Sequence, residues 1–190
     1  MKKQIRILGV DDGPFSFNQK KVVVVGVVMR IGGYIEGVLK RNVTVDGDDA
    51  TKVLSDMVNH TRHRDQLRTV MIDGVALGGF NVVDINVLHM ETGIPVITLT
   101  RDYPDFESMK QTLQRKFLDW KKRWDIIQRN TVYEVKTSHN PIYVTSIGLS
   151  KKEAEEIIKL STIRGVVPEP VRVAHLIASG IVRGESYGKA

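Results

Sequence analysis

Asp11 and Asp73 are the residues of this chain whose placement could do chemistry together. Each closes a short apolar run: Ile5-Arg6-Ile7-Leu8-Gly9-Val10 leads into Asp11-Asp12-Gly13, and Val70-Met71-Ile72 leads into Asp73-Gly74. A run of that length stopping at acid and glycine is the pattern of a buried strand with carboxylates at its C-terminal edge. One Asp-Gly alone reads as a turn. Two copies, each ending a strand, would set like charges side by side, which is unfavourable unless a cation holds them together. A third carboxylate is available at Asp46, Asp48 or Asp49. Hard oxygen donors suit Mg²⁺ or Mn²⁺, and a centre of that kind supports phosphodiester hydrolysis. The chain has no cysteine, so disulfides and thiolate ligands are excluded and only oxygen or imidazole ligands remain.

The elements that must carry these residues can be read in order. After Gly13 come the β-branched run Val22 to Met29, a glycine pair at 32 and 33, and a third run from Tyr34 to Val45. Short turns between consecutive strands make them an antiparallel meander. Val22 to Val28 is almost continuously apolar and is expected to be covered on both faces. From Asp48 the period changes to that of a helix, with Val53, Leu54, Met57 and Val58 inward. The strand to Asp73 follows, then a buried helix over Asn81 to Glu91 and a strand over Pro95 to Thr100. Met109, Leu113, Phe117, Trp120, Trp124 and Ile127 recur at helical spacing, with Lys110, Arg115, Lys122 and Arg123 on the opposite side. That basic side is either solvated or faces phosphates. Val132 to Lys136 and Ile142 to Ser146 are extended; Ser150 and Glu153 form a capping box; Pro168-Glu169-Pro170 starts a last helix that passes His175 and stops at Gly180.

Three meander strands, a helix, then parallel strands joined by helices is the element order of the ribonuclease H-like α/β fold. The expectation is a mixed five-stranded sheet, order 3-2-1-4-5, flanked by helices, with strands one and four parallel and Asp11 beside Asp73. At 190 residues one domain spanning 1–190 is expected, ordered over about residues 4–180, with a loose tail from Ile181. The formal net charge of +6 is compatible with a nucleic-acid partner. No apolar run reaches membrane-span length and the Lys2-Lys3 start lacks a signal peptide's apolar stretch, so a cytoplasmic protein without membrane contact is expected.

Specific motifs narrow this further. His139-Asn140-Pro141-Ile142-Tyr143-Val144-Thr145-Ser146, and then Val167-Pro168-Glu169-Pro170-Val171-Arg172-Val173-Ala174-His175, resemble the C-terminal half of endonuclease V, which nicks nucleic acid near deaminated bases using a divalent metal. Val10-Asp11-Asp12-Gly13, Met71-Ile72-Asp73-Gly74 and Ile94 to Arg101 are similar to its earlier motifs. Over roughly residues 4–180 the chain resembles, more closely still, the archaeal-type endonuclease dU family, a relative that acts on deoxyuridine in DNA. The resemblance implies a metal-dependent endonuclease nicking DNA at deoxyuridine, with Asp11, Asp49 and Asp73 as metal ligands, His175 as active-site histidine, and Arg101 in the place of a catalytic-site lysine. Arg172 lies one turn before His175 and could reach a phosphate. RNA cleavage, or nucleic-acid binding on the same fold with little or no cleavage, are the alternatives.

Two departures stand out. The wedge motif of endonuclease V is absent, with Tyr34-Ile35-Glu36-Gly37 in that region, and Gly78-Gly79 replace a histidine expected after the Asp-Gly motif. Each site residue also has a plainer reading. Asp49 or Asp48 is an adequate helix N-cap, worth about 1 kcal/mol. His175 could be a satisfied core histidine, and His60 and His63 surface residues at a helix end. Asp12 could form a turn, or serve as a substitute ligand.

Overall fold

The computed structural model describes residues 5–186. The expected start at residue 4 and the last four residues of the expected tail lie outside them. β1 (Arg6–Asp12), β2 (Lys21–Arg30) and β3 (Tyr34–Thr44) form the antiparallel meander. Residues 22–29 of β2 are all buried, because both faces are covered. Val22, Val24 and Val28 pack with Leu54 and Met57 of α1 (Ala50–Asn59) on one face, and Val23, Val25 and Val27 with Ala174 and Ala178 on the other. A 3₁₀ turn then leads into β4 (Leu67–Asp73), which pairs parallel to β1.

Past β4 a small ribbon, β5 (Ala76–Leu77) and β6 (Asn81–Val82), precedes α2 (Ile85–Thr92). The helix expected from Asn81 therefore starts later. Asp84 is its N-cap, accepting from the Asn86 and Val87 amides, while the buried Asn81 side chain ties β3 to α1 by bonds to Thr44 O and the Ala50 amide. β7 (Val96–Thr100) extends the parallel portion beside β4.

The single helix expected over the aromatic stripe is two: α3 (Phe106–Lys116) and α4 (Trp120–Gln128). The chain turns extended at Phe117 (φ −126°, ψ 130°), breaking the helix. β8 (Tyr133–Val135) and β9 (Ile142–Ile147) then add to the sheet, β9 antiparallel to β7 and β8 at the edge. The sheet is thus seven-stranded, order β3-β2-β1-β4-β7-β9-β8; the five expected strands keep their order and two more lie beyond them. The sequence marks both added strands as extended segments, but local sequence does not say which edge an antiparallel strand joins.

α5 (Lys151–Ser161) opens with the expected capping box, and α6 (Glu169–Arg183) runs three residues beyond Gly180 to a left-handed Gly184 cap (φ +82°). α6 lies directly on β1. A Cβ on Gly9 would sit 2.2 Å from the Pro170 carbonyl carbon, so only glycine lets the helix come this close. That approach sets the height of everything α6 presents over the end of β1. Among the described residues no helix is long and apolar enough to cross a membrane.

Candidate functional site

The side chains of a strand alternate between faces, which assigns the carboxylates. Ile7, Gly9 and Asp11 face α6, and so do Met71 and Asp73 on β4, since Ile7 and Met71 share one core cluster. Val10 lies opposite Ile72 in the parallel register, so Asp11 and Asp73 follow each other off the same end of neighbouring strands. His175, one and a half turns into α6, reaches this end: its Nδ1 lies 2.8 Å from Asp11 Oδ2. The cleft that results, about 470 Å³, is lined by Asp11, Asp12, Asp73, His175, Ser179 and Arg183 with the Gly13–Phe15 turn.

The charges in it are out of balance. Burial, then the neighbouring Asp11 charge, push Asp73 up to about 7, against partial relief from Arg101 and His175. Asp12 is likewise raised to about 6, first by burial, although the Gly78 amide donates to its Oδ2 at 2.6 Å. His175 moves up from its usual value, chiefly through its bond to Asp11 and against burial. Its Nε2 is buried with no hydrogen-bond partner. These are carboxylates held in mutual repulsion with a partial counter-charge from one imidazole.

The third carboxylate of the cleft is Asp12, not any of the three expected candidates. Asp49 is turned away: it accepts from the Thr44 amide and hydroxyl and from Asn81 Nδ2. Burial opposes its ionisation, yet those bonds hold its carboxyl below the usual range. Nor does it cap α1 through its side chain, although it occupies the N-cap position. Asp46, with φ +53°, accepts from the Phe80 amide, and Asp48 is exposed 3.9 Å from Lys122. The glycines that replace the expected histidine shape the back of the cleft. Gly78 supplies the amide held by Asp12, and at Gly79 (φ +90°) a Cβ would meet Asp46 Oδ1 at 2.3 Å.

The residues expected to touch nucleic acid separate into two groups. Arg123 is a correction. It is only 8% exposed, donates to the carbonyls of Gly47 and Phe80 at 2.7 and 2.6 Å and to Asp119, and so fastens α4 to the body. Lys122 and Arg115 are exposed, and Lys110 stands over the Trp124 ring at 5.4 Å. Arg172 is paired with Glu169 in its own helix. Arg101 lies outside the acidic cleft on the wall of a larger one beside it, close enough for its charge to act on Asp73 and His175. Ser179 and Arg183 were not singled out from sequence. Both follow His175 at four-residue spacing, a signal legible for Ser179 within the expected helix and hidden for Arg183 by ending the helix at Gly180.

The family described as endonuclease dU matches residues 3–182. The chain belongs to the endonuclease dU family. It is 48% identical over 191 residues to a UPF0215 protein of Methanothermobacter thermautotrophicus, covering 100% of this chain and 94% of that one. A UPF0215 protein of Methanosarcina barkeri is 49% identical, with 100% and 97% covered. An Archaeoglobus fulgidus crystal structure superposes on this endonuclease dU family member with a TM-score of 0.87 at 38% identity, covering 95% of this chain and all 100% of that one. Endonuclease V of Ciona intestinalis, solved with a 24mer DNA containing an inosine followed by a ribo-adenosine, gives 0.63 at 13% identity, covering 96% and 87%. The catalytic domain of human endonuclease V gives 0.59 at 16%, covering 95% and 83%. The last two likenesses establish the shared ribonuclease H-like fold.

Proposed function

We propose that this protein is a divalent-metal-dependent endonuclease that nicks DNA at deaminated bases, deoxyuridine first among them. The observation that carries the reading is the convergence of Asp11 and Asp73 on one end and one face of β1 and β4, with His175 bonded to Asp11. The family's description supports deoxyuridine as the substrate.

The cleft's donors fit a hard cation. Carboxyls raised first by burial and then by the Asp11 charge are relieved by a doubly charged ion, and oxygen is the ligand Mg²⁺ and Mn²⁺ take. Asp11 and Asp73 would hold it, with Asp12 in the same cleft. Bound there, the ion would supply charge neutralisation at the phosphodiester and a lowered pKa for the attacking water. The protein's own groups do the rest. His175 fixes the orientation of Asp11 through Nδ1, and as an imidazolium it balances part of the acid charge. Its unpaired Nε2 has hydrogen-bonding capacity for a substrate oxygen. Arg101, beside Asp73, adds positive charge where a scissile phosphate would approach. Lys110, Arg115 and Lys122, on α3 and α4, would offer basic side chains to the strand beyond the cleft.

One observation favours a second reading. Among the described residues no three carboxylates or imidazoles stand together as a ready-made ligand shell. A nucleic-acid-binding protein of this fold with weak or no cleavage would have that property. Labelled duplexes and single strands carrying uracil, hypoxanthine or no lesion, incubated with Mg²⁺, Mn²⁺ or EDTA, separate the two. Nicking of the uracil strand with either ion and none in EDTA supports the nuclease. Nicking that survives EDTA removes the metal from the reading, and binding without nicking in every condition establishes the second one. A ribonucleotide strand cut in preference to DNA would move the substrate to RNA.

A further inference from the structure

Beside the acidic cleft lies a cleft of about 980 Å³ that the chemistry above does not use. The two are neighbours across α6: Arg172 and Leu176 face the larger, His175 and Ser179 the smaller. Arg101 on the larger cleft's wall is near enough for its charge to act on Asp73 and His175, which puts the two clefts within reach of one strand. Three arginines (101, 164 and 172) line this cleft against one carboxylate, Asp102, which selects for an anion. Arg172 is already committed to Glu169; the Arg164 charge also acts on Glu169, but Arg164 is exposed.

Aromatic surface accompanies the charge. Tyr103 is 59% exposed and stands edge-on to Tyr143 on β9, ring centroids 5.3 Å apart at 84°, and edge-on to Phe106 at 5.8 Å. Two T-shaped contacts hold the ring, and its exposure on the cleft wall leaves it open to a base. The opposite rim, His139 and Asn140, is shaped by Thr137, whose hydroxyl donates to the Asn140 carbonyl at 2.7 Å and accepts from the His139 amide at 3.0 Å. An amide side chain there carries both a donor and an acceptor for a base edge. A fixed aromatic face, a donor–acceptor rim and arginines alongside are the parts of a single-strand site.

We propose that this cleft is a nucleotide subsite: an unpaired base of the DNA strand next to the scissile phosphate stacks on Tyr103, with Arg164 on that strand's backbone. It rests on the nuclease reading for its orientation. Its dimensions exceed one base, so the subsite also holds the sugar and a flanking phosphate.

The test is binding by the full chain in EDTA, where nothing is cut. Single-stranded deoxyoligonucleotides carrying 2-aminopurine at successive positions are titrated with wild type, Tyr103→Ala, Tyr103→Trp and Arg164→Ala. Quenching should peak at one position. Tyr103→Ala should remove it and weaken single-strand binding roughly 5- to 150-fold, the range a lost stacking contact implies. Tyr103→Trp should restore both, and Arg164→Ala should lower affinity and salt dependence while the quench remains. An abasic site at the peak position should cost wild type as much as Tyr103→Ala does. Unaltered quenching and affinity in Tyr103→Ala, or an abasic site without effect, overturns the subsite. Equal Tyr103 dependence with tighter binding of a ribo-oligonucleotide overturns its assignment to DNA. Failure of the nuclease reading looks different: Tyr103-dependent binding would persist in a wild type that never nicks with Mg²⁺.

Discussion

Replacing Asp73 by Asn should make the metal-free protein more stable, which is the reverse of what most buried substitutions do. Asp73 sits at about 7 in the folded chain against 3.8 as its ordinary value, raised by burial and then by Asp11. Below pH 4 both folded and unfolded chains keep the proton and the group is silent. Between pH 4 and 7 the unfolded chain releases it while the folded chain holds it, so stability falls as pH rises through that window. Above pH 7 the loss is complete. A displacement of about three pKa units corresponds to about 4 kcal/mol. Asp73 is partly exposed and shares the repulsion with Asp11, so on the order of 2–3 kcal/mol is expected at pH 8, a rise in Tm of roughly 4–12 °C for a chain of this size. Asn keeps the shape and removes the charge. The assay is thermal unfolding in EDTA from pH 4.5 to 8, repeated with Mg²⁺. Wild type should gain Tm on adding the ion, by mass action on the folded state, and the variant should gain much less. If metal-free Asp73→Asn melts at or below the wild-type temperature at pH 8, with the same slope between pH 4 and 7, burial and the Asp11 charge do not penalise the Asp73 carboxylate as the cleft implies. The same variant, with Mg²⁺, should lose nicking by several orders of magnitude while still binding the lesion strand.

Other outcomes follow from the same contacts. Asp49→Ala should cost on the order of 1–2 kcal/mol in urea unfolding, because the Thr44 and Asn81 donors lose a partly buried acceptor, and the surviving folded fraction should still bind Mg²⁺; a loss of metal binding at unchanged stability would restore Asp49 to the ligand set. Arg123→Ala should destabilise by about 2–4 kcal/mol and leave the salt dependence of DNA binding untouched, since its donors serve Gly47, Phe80 and Asp119. Neutralising Lys110, Arg115 and Lys122 should instead flatten that dependence by about 0.9 per lost phosphate contact on duplex DNA; an unchanged slope would leave that face to solvent. In metal-free protein the imidazole of His175 should titrate above its usual value by NMR and fall back in Asp11→Asn. The stability this contact contributes is present below the unfolded histidine's pKa of 6.5 and is lost as pH rises through the folded one. An unshifted His175 in wild type would mean the Asp11 bond does not form in solution.

The sequence by itself determined where the acid would stand. Asp11 and Asp73 end runs whose apolar length and β-branching make them strands, and the element order makes those strands neighbours, so the two carboxylates meet whatever the rest of the chain does. The Pro-Glu-Pro start of α6 and Gly9 beneath it likewise carry local chemistry that brings His175 over the end of β1. Tertiary structure decided which further groups join them. Asp12 faces the cleft's back because an amide 66 residues away, at Gly78, holds it, and Asp49 leaves the cleft because Asn81, 32 residues on, claims its oxygen. Arg123 reads as one more cation on an exposed helix face until α4 breaks from α3 and places it against carbonyls 43 and 76 residues distant. Each is a choice among partners that the sequence offers equally: a carboxylate can ligate, cap or brace, and an arginine can meet a phosphate or a carbonyl. Side-chain type sets that menu, and only the folded chain's long-range contacts select from it.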